Sequence, residues 1–487
     1  MVKGFNRFIN YCLRVLFLLI VIGSFAMLYL YPKIQYREVE HVFLKGIIVT
    51  IFNIVIVFLL YKYGNKNKWN KKAVAGIIIS GFILRLLWTC LVNTQPTSDF
   101  ELIYNFGKDF SEGNYHMFKG ASYIGRFPHL TTFVIYLGLL RKVFGDTLVP
   151  IKIINVILST LNIYLAYLIT CEVYKDKRKQ VLSLMAISLF PPLIVYTSVV
   201  CSENIAMSFF LAAIYLFLFI VKKNLNVPYL ILCGFLLAAG NLFRMVGYIF
   251  VAAFILYLII YSEVKTAIKN STIILLAFLF TFYSASDVLM KSEITEHKLW
   301  RGSEPPITSV LRGTNIKSHG MWNKEDSDIP SLYDYDYNRV EKASKNIIKK
   351  RLATTPKYKL TLFYISKFIG QWSIGDFYGV GWATEKVEGH KIIADFAKAT
   401  SVYSQLFYIA MILQVYLGLF NSREYLENKN VNLFYILFCG FALLYLITEM
   451  QPRYAFITCW IFAMLVPTCD ISIFKRHKKS MGYELEV

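Results

Sequence analysis

The sequence predicts an all-α polytopic membrane protein with about twelve transmembrane helices, and three observations lead to that class. Of its 487 residues, 56% are hydrophobic and 17% are charged, whereas a soluble chain carries about a quarter charged residues. Apolar stretches long enough to span a bilayer recur along the whole chain. Lysines and arginines gather in the short segments between them, as they do in cytoplasmic loops. The net charge of +21 therefore reflects topology, and we expect no nucleic-acid binding.

The first apolar run follows Lys3 and Arg7 and resembles the start of a signal peptide. It is longer than a signal core and has no small-residue cleavage site, so we expect an uncleaved span. Eleven further runs have the length and composition of spans. The predicted spans are 11–30, 42–61, 73–92, 150–174, 181–199, 204–221, 228–243, 246–261, 271–290, 401–420, 431–450 and 455–474.

The basic segments assign a side of the membrane to each loop. The segment 62–72 holds five lysines and no acid, which is typical of a cytoplasmic loop. The other segments assigned to the cytoplasm in this way are 175–179, 222–223, 265–269 and the tail at 475–479. If each span crosses once, both termini are cytoplasmic and the protein is a multi-pass protein of the cell membrane.

Two long polar segments then lie outside, at 93–149 and 291–400. Each contains an apolar run, 130–140 and 360–372, that is too short to cross the bilayer and is expected to lie in the interface. The predicted organisation is two N-terminal helices (1–72), a core that includes the first outer loop (73–290), the large outer loop (291–400), and C-terminal helices with a basic cytoplasmic tail (401–487). Long segments of this kind usually carry function.

Asp99 is the first candidate residue. It follows Pro96 and Ser98, which favour a turn, where the chain leaves the third predicted span. A carboxylate at the edge of the membrane can act as a general base, because partial desolvation raises its pKa towards a useful value. The alternative is that Asp99 caps the amphipathic helix that follows, since Asp is a favoured N-cap residue.

Three further charged residues lie at predicted outer turns: Glu203, Arg244 and Arg453. Glu203 begins a helix and needs no other role than to stabilise its N-terminus. Positively charged residues of membrane proteins are concentrated on the cytoplasmic side, so arginines on the outer side are unusual. A planar guanidinium group suits a phosphate. Their alternative role is that of an anchor that extends to the lipid interface. Arg85 lies within the third span, where a charge marks either function or a buried partner.

The sequence gives no sign of a bound metal or nucleotide. His116, His129 and His319 have no metal-ligand spacing, and there is neither a Walker glycine loop nor a GxGxxG motif. Outer Asp and Glu residues could bind a divalent cation, but no oxygen-ligand loop is recognisable. We therefore assign no cofactor and leave a divalent cation open.

Acids and arginines thus gather at one predicted face of the membrane. Acids suit the activation of a hydroxyl, and arginines suit a phosphate leaving group. A substrate that reaches this face from the lipid is expected to be a phosphate carried on a long hydrocarbon chain. The remaining partners would be membrane lipid and an acceptor at the cell surface.

Taken in order, these motifs resemble the GT-C superfamily of membrane glycosyltransferases, which use polyprenyl-phosphate sugars and include the protein O-mannosyltransferases and the aminoarabinose transferases of lipid A. The match runs from about Arg85 to Tyr454. A further outer segment, GTN at 313–315 with GMWNKED at 320–326, is similar to the large loop of Gram-positive bacterial members. The other motifs are PTSDF at 96–100, YIGRFPH at 123–129, VFG at 143–145, SEN at 202–204 and the arginine at 244.

The resemblance implies a GT-C-like fold and a role for each candidate residue. Asp99 would be the catalytic base on the acceptor hydroxyl. The residues that would hold the donor phosphate are Arg244, Arg453 and Arg126, and those that would support the site are Glu203, Arg85 and His129.

The chain departs from the family pattern in two ways. Two extra spans precede the usual first helix, and the element that reads His-Pro-Pro in protein mannosyltransferases is Phe127-Pro128-His129 here. The second departure favours a polysaccharide, teichoic acid or glycolipid acceptor over a protein. The expected activity is transfer of a sugar from a polyprenyl-phosphate carrier to that acceptor, with inversion at the sugar carbon.

Two other functions stay open. A polysaccharide polymerase or ligase also has many spans and one large outer loop, but it consumes diphosphate-linked oligosaccharides. A transporter of lipid-linked sugars should show charged residues along several spans and internal symmetry, whereas the polar residues here cluster at one face.

Overall fold

The computed structural model describes residues 2–66, 68–145, 148–223, 226–421 and 426–469. Within these ranges the named elements are helices, joined by short 3₁₀ turns. The α-helices are α1 (Val2–Gln35), α2 (Val42–Lys66), α3 (Lys71–Leu91), α4 (Ser98–Ser111), α5 (Tyr123–Arg126), α6 (Thr131–Phe144), α7 (Leu148–Val173), α8 (Lys177–Leu189), α9 (Pro191–Val195), α10 (Glu203–Lys223), α11 (Val227–Phe243), α12 (Gly247–Tyr261), α13 (Val264–Lys291), α14 (Ile307–Gly313), α15 (Lys324–Ser327), α16 (Ile329–Leu332), α17 (Tyr337–Thr354), α18 (Lys357–Trp372), α19 (Gly379–Thr384), α20 (Lys391–Gly418), α21 (Lys429–Ile447) and α22 (Trp460–Leu465).

The predicted all-α membrane class is confirmed, but the number of twelve spans is not. In the part of the chain that the structure describes, eight helices are long and apolar enough to cross a bilayer, and the bent pair α8–α9 makes up to nine. The eight are α1, α2, α3, α7, α10, α13, α20 and α21. Two more predicted spans form the shorter apolar helices α11 and α12.

The last predicted span, 455–474, is described as far as Cys469, and there it is not one long helix. A 3₁₀ turn at Pro452–Thr458 is followed by α22 and by a second 3₁₀ turn at Val466–Thr468. Pro467 has no N–H to donate and so cannot continue a helix. Nearly every side chain in this stretch is fully buried. Hydropathy predicted a span here because a buried apolar run and a lipid-facing one have the same composition.

The bend of 53° between α8 and α9 is built by prolines and by Arg85. Pro191 and Pro192 lack the N–H groups that would otherwise bond the carbonyls of Ile187 and Ser188, four residues earlier. Arg85 of α3 donates to both of these carbonyls, at 3.4 Å and 2.9 Å. Because lipid offers no water, such carbonyls need an internal donor. The buried Arg85 guanidinium therefore replaces the donors that the prolines removed.

The two long polar segments meet at one end of the helix bundle. An isolated antiparallel bridge joins Thr94 to Val387, and the Gln95 N–H donates to the Lys386 carbonyl at 2.8 Å. Further along, the Ser303 N–H donates to the Gly125 carbonyl at 3.0 Å. The two segments, predicted to lie on the same side of the membrane, therefore form a single layer over one end of the bundle.

Within that layer, α4 packs closely against α6. Gly107 and Gly138 face each other at the crossing, and a Cβ on Gly138 would lie 2.8 Å from the Gly107 carbonyl. α6, of 14 residues, and α18, of 16 residues, correspond to the two predicted interfacial runs. At about 1.5 Å per residue both are shorter than the hydrocarbon core of a bilayer.

The opposite end of the bundle brings together the segments that the charge pattern assigns to the cytoplasm. The Tyr261 hydroxyl donates to Asn6 of α1 at 2.5 Å, and Asn430 donates to the Glu172 carbonyl at 3.1 Å. Lys222 pairs with Glu172 at 2.8 Å. The polar layer and this end are thus separated by the length of the spanning helices.

Candidate active site

Arg453 lies in the 3₁₀ turn that follows α21, and three aromatic rings surround it. Its guanidinium carbon is 4.7 Å from the ring centre of Phe100, 5.4 Å from Trp382 and 5.6 Å from Tyr454. The residue is buried, yet its Nε has no hydrogen-bond partner among the described residues. A buried donor left without a partner is costly in a folded protein. The Arg453 guanidinium therefore packs against aromatic rings, and its Nε–H group can still donate a hydrogen bond.

Arg244 also contacts the Tyr454 ring, and Glu203 pairs with Arg244. Glu203 is the buried first residue of α10, and Arg244 directly follows α11. Arg244 Nη1 is 3.6 Å from Glu203 Oε1, and its guanidinium carbon lies 5.2 Å from the Tyr454 ring centre. Two arginines thus share one tyrosine, and one carboxylate offsets part of their charge. Chain segments about 200 residues apart are joined here.

Asp99 is the second residue of α4, at the edge of this cluster. Ser98 before it has a φ of 51°, a left-handed conformation that costs free energy in a residue other than glycine. The next residue, Phe100, is the ring that packs on Arg453. The Asp99 carboxylate is exposed, so the partial desolvation expected from the sequence is absent. The Tyr123 hydroxyl lies near it, and the two groups interact electrostatically.

Tyr123 and His129 are neutral groups beside these charges. Burial, together with the negative charge of Asp99, raises the pKa of Tyr123 well above its usual range. Burial and the positive charge of Arg244 lower the pKa of His129 to about 4. His129 is therefore an uncharged imidazole near pH 7, which suits a hydrogen-bonding role and not a cationic one.

Arg126 lies in a separate ion network. Its Nη2 is 2.6 Å from Glu304 Oε2, and its Nε donates to the same oxygen at 3.0 Å. The buried Glu304 also contacts Arg312 at 3.4 Å, and Arg312 in turn pairs with Glu449. The sequence alone did not identify Glu304 or Arg312. Glu304 lies 178 positions from Arg126, and no local sequence pattern relates residues so far apart.

The ion network reaches the arginine cluster through Tyr454. The Tyr454 hydroxyl donates to Glu449 Oε1 at 3.3 Å. Burial and the charge of Glu449 raise the pKa of Tyr454 to about 12, so the hydroxyl keeps its proton. The ring of Tyr454 contacts both Arg244 and Arg453. The large loop and the two arginines are therefore coupled through one side chain.

Lys367 of α18 fastens the same loop to the end of α21. Its ammonium donates to the carbonyls of Gly313, Leu446 and Thr448 at 2.6, 2.9 and 2.6 Å. Burial lowers its pKa to about 8. A Cβ on Gly313 would lie 2.5 Å from the Thr448 backbone, so this approach requires glycine. The turn that carries Arg453 is thus fixed from both sides.

Trp382, the second ring over Arg453, is positioned by a buried carboxylate. Asp376 accepts hydrogen bonds from the Tyr31 hydroxyl at 3.2 Å and from the N–H of Val380 at 3.1 Å. Burial raises the pKa of Asp376 to about 7. These bonds fix the start of α19, the short helix that carries Trp382.

Of the predicted site residues, the structure brings Asp99, Glu203, Arg244, Arg453 and His129 into one cluster. Arg126 lies on its border and already has a carboxylate partner. Arg85 is apart from the cluster, and its other hydrogen bonds go to Ser159 at 2.7 Å and to the Gly81 carbonyl at 2.9 Å. In the described ranges, no group of three or more His, Cys, Asp or Glu residues could hold a metal ion.

A family comparison bears on this arrangement. Residues 128–290 match the family model described as dolichyl-phosphate-mannose-protein mannosyltransferase. The matched segment holds His129, Glu203 and Arg244 together with the bend at α8–α9. The expected resemblance to the GT-C superfamily is confirmed. The match covers 163 of the 487 residues, about a third of the chain, and over this segment the protein is similar to glycosyltransferases of that family.

Two solved structures of one archaeal enzyme are similar to this chain at low sequence identity. The oligosaccharyltransferase of Archaeoglobus fulgidus in its apo form is 12% identical, with a TM-score of 0.46 over 86% of this chain and 53% of that one. The same enzyme in complex with Zn and sulfate is 13% identical, with a TM-score of 0.44 over 83% and 50% of the two chains. This chain thus spans about half the length of that enzyme.

A third structure is ArnT from Cupriavidus metallidurans bound to undecaprenyl phosphate. It is 11% identical, with a TM-score of 0.36 over 81% of this chain and 78% of that one. No curated protein matches this chain in sequence.

Proposed function

We propose that this protein is a glycosyltransferase that moves a sugar from a polyprenyl-phosphate carrier to a cell-surface polysaccharide, teichoic acid or glycolipid. The reaction takes place on the outer face of the cytoplasmic membrane, and both termini lie in the cytoplasm. One observation carries the proposal: Arg244 and Arg453 converge on Tyr454 beside α4, the helix whose first turn contains Asp99. A base and a phosphate-sized cationic site are the two parts that such a transfer needs.

In the proposed reaction, Asp99 accepts the proton of the acceptor hydroxyl. The hydroxyl oxygen forms a bond to the anomeric carbon of the sugar as the bond from that carbon to the phosphate oxygen breaks. The products are a glycoside, a protonated Asp99 and a polyprenyl monophosphate. Attack on the face opposite the phosphate inverts the sugar carbon. The exposure of Asp99 suits a base that must meet an acceptor arriving from water.

The leaving phosphate would bind between Arg244 and Arg453. The ring contacts leave the edges of the Arg453 guanidinium available, and its Nε is a donor without a partner in the described chain. Glu203 holds Arg244 at 3.6 Å, which is longer than a tight ion pair, so Arg244 can turn towards a phosphate. Arg126 would act only at the border of the site, because Glu304 already occupies it.

The donor class is supported by the family match. The matched family is named for mannose carried on dolichyl phosphate, and dolichol is a polyprenyl alcohol. A monophosphate carrier also agrees with the site, because Arg244, Arg453 and Glu203 together carry a net charge of +1, which matches the single negative charge of the phosphodiester in a polyprenyl-monophosphate sugar better than the two charges of a diphosphate-linked one. This point favours the transferase over a polymerase or ligase that consumes diphosphate-linked oligosaccharides.

The experiment is sugar transfer by the purified protein from a panel of radiolabelled polyprenyl-monophosphate sugars, with membrane extract as acceptor. Wild type, Asp99→Asn and a control, Asp109→Asn from the same helix, are compared. We expect donor loss in wild type and in the control, and a rate lower by about 10²-fold or more in Asp99→Asn.

Full activity of a normally folded Asp99→Asn protein would refute the assignment of the base. No donor loss with any monophosphate sugar, but loss of a diphosphate-linked oligosaccharide, would favour the polymerase or ligase. Movement of either lipid across a vesicle membrane without consumption would favour the transporter.

A further inference from the structure

The helix α17 has a strongly basic face that the site described above does not use. Its 18 residues include six lysines or arginines and a single acid, Glu341. On the predicted outer side, such a concentration of positive charge runs against the usual distribution in membrane proteins. It therefore needs a local explanation.

The basic residues lie together on one side of α17. At about 100° per residue, five of them fall within an arc of about 140°. They are Arg339, Lys342, Lys345, Lys349 and Lys350, and all five are exposed. The two fully buried residues, Val340 and Ser344, lie on the opposite side. We call these five residues the basic face.

The sixth basic residue anchors the helix from its buried side. Arg351 contacts Asp326 through both terminal nitrogens, at 2.6 Å and 3.1 Å, and donates to the Leu311 carbonyl of α14 at 2.9 Å. These contacts hold the pKa of Asp326 below its usual value despite its burial. α14 also carries Arg312, which pairs with Glu449 beside the arginine cluster. The basic face is therefore rigidly connected to the wall of the candidate site.

The basic face has the composition of a water-facing surface. A helix that binds a bilayer needs a large apolar side next to its charges. The neighbouring helix α18 has one, since Tyr358, Leu362 and Ile365 are exposed along a single stripe. In α17 the exposed Leu352 does not lie on the basic face. α18 is thus suited to the membrane interface, and the basic face is suited to a soluble partner of opposite charge.

We propose that the basic face of α17 binds the acceptor, and that the acceptor is an anionic glycopolymer with repeated phosphate or carboxylate groups. The inference rests on the proposed function and narrows its acceptor from a cell-surface glycan to a polyanion. Five positive charges along a helix of about 27 Å match a chain with regularly spaced negative charges. Binding here holds the polymer on the same loop that carries Arg312, whose partner Glu449 lies beside the arginine cluster.

The test measures binding without any donor, so that it does not depend on catalysis. The full-length protein is placed in nanodiscs of zwitterionic phosphatidylcholine. The probes are a fluorescent poly(glycerol phosphate) oligomer and a neutral dextran oligomer of similar length. The triple variant Lys342→Gln, Lys349→Gln, Lys350→Gln removes three positive charges from the basic face. The control variant Lys62→Gln, Lys66→Gln, Lys72→Gln removes three positive charges at the opposite end of the helix bundle.

We expect wild type to bind the phosphate polymer and not dextran, with an affinity that falls about tenfold between about 50 and 200 mM salt. The α17 variant should bind roughly tenfold more weakly, because each lost charge removes a screened ionic contact. The control variant should keep most of the affinity. In transfer assays, the α17 variant should raise the KM for the anionic acceptor and leave the KM for the donor unchanged.

Equal binding by wild type and the α17 variant would overturn the inference, even if sugar transfer is observed. Equal loss in the two variants would also overturn it, because net charge alone would then explain binding. If the protein bound vesicles containing phosphatidylglycerol through the basic face but did not bind the polymer, the basic face would be a membrane-binding surface instead. Polymer binding without transfer from any donor would uphold the binding face and refute the proposed transferase.

Discussion

Arg312 and Glu449 form a buried ion pair that joins the large loop segment to the turn that carries Arg453. The Arg312 Nε donates to Glu449 Oε2, and the two residues are 137 positions apart. Glu449 also accepts from Tyr454, whose ring contacts both arginines of the cluster. The loop thus takes part in shaping the site and is more than a cover over it.

Arg312→Met should strongly destabilise the protein. The change leaves Glu304 and Glu449 buried with fewer positive partners, and loss of one member of a buried pair costs about 3–5 kcal/mol. Thermal unfolding in detergent, followed by intrinsic fluorescence, measures the effect. Lys324→Met is the matched control. It breaks the exposed pair with Asp328, which is worth about 1 kcal/mol or less. Equal melting temperatures in the two variants would contradict the role of Arg312.

Arg453→Lys should keep the fold and lose most of the activity. Lysine retains the charge, but it lacks the planar group that packs between Phe100 and Trp382 and the fork that suits a phosphate. We expect kcat/KM for the donor to fall by about 10²-fold, which corresponds to about 2.7 kcal/mol. Steady-state transfer kinetics test this, with Arg178→Lys as the control far from the cluster. Unchanged kinetics in Arg453→Lys would remove Arg453 from the phosphate site.

Arg85→Met should unfold the protein more easily because it leaves the carbonyls of Ile187 and Ser188 without donors. Each buried unsatisfied group costs about 1–3 kcal/mol. Replacement of both Pro191 and Pro192 by alanine supplies two N–H groups in their place. The combined variant should therefore recover part of the stability lost in Arg85→Met.

A double-mutant cycle on melting temperatures measures this coupling, which we expect at about 1–3 kcal/mol. Additive effects would show that Arg85 and the prolines act independently.

Stability should depend on pH through Asp376. Burial raises the pKa of this carboxyl to about 7, above the unfolded value of about 3.9. The folded state then binds the proton more tightly than the unfolded state, so stability is greatest at low pH and declines as pH rises from about 4 to about 7. The neighbouring Tyr31, Tyr36 and Tyr378 stay protonated throughout this range.

Melting curves at about pH 5.5 and 8 test this dependence. Wild type should be less stable at the higher pH, and Asp376→Asn should lose most of that difference. An equal pH difference in the two proteins would assign it to other groups.

The sequence was sufficient to predict the class of fold and the residues that carry most of the cluster. Hydropathy and loop charge identify helices and sides because lipid imposes both rules on each segment separately. Arg244 and Arg453 stood out because arginines on the outer side run against the usual distribution of positive charge, and Asp99 and Glu203 because they are acids at outer helix ends.

The rest depended on contacts between distant parts of the chain. Glu304 has no distinctive neighbours in sequence, and only folding places it between Arg126 and Arg312. Most partners of Arg85 are backbone carbonyls, which no pattern of side chains reveals. The last predicted span is not confirmed for a similar reason, since composition does not distinguish a long helix in lipid from short helical pieces buried in the protein.

The Arg85 contacts also bear on how the chain enters the membrane during synthesis. A lone arginine near the middle of a helix raises the cost of inserting that helix by about 2.5–3.5 kcal/mol. The carbonyls that accept its hydrogen bonds belong to residues made about a hundred positions later. α3 is apolar enough to cross the bilayer by itself, but until α8 is made its arginine lacks these hydrogen bonds. The third span therefore reaches its full stability in the bilayer only after the later helix has been added.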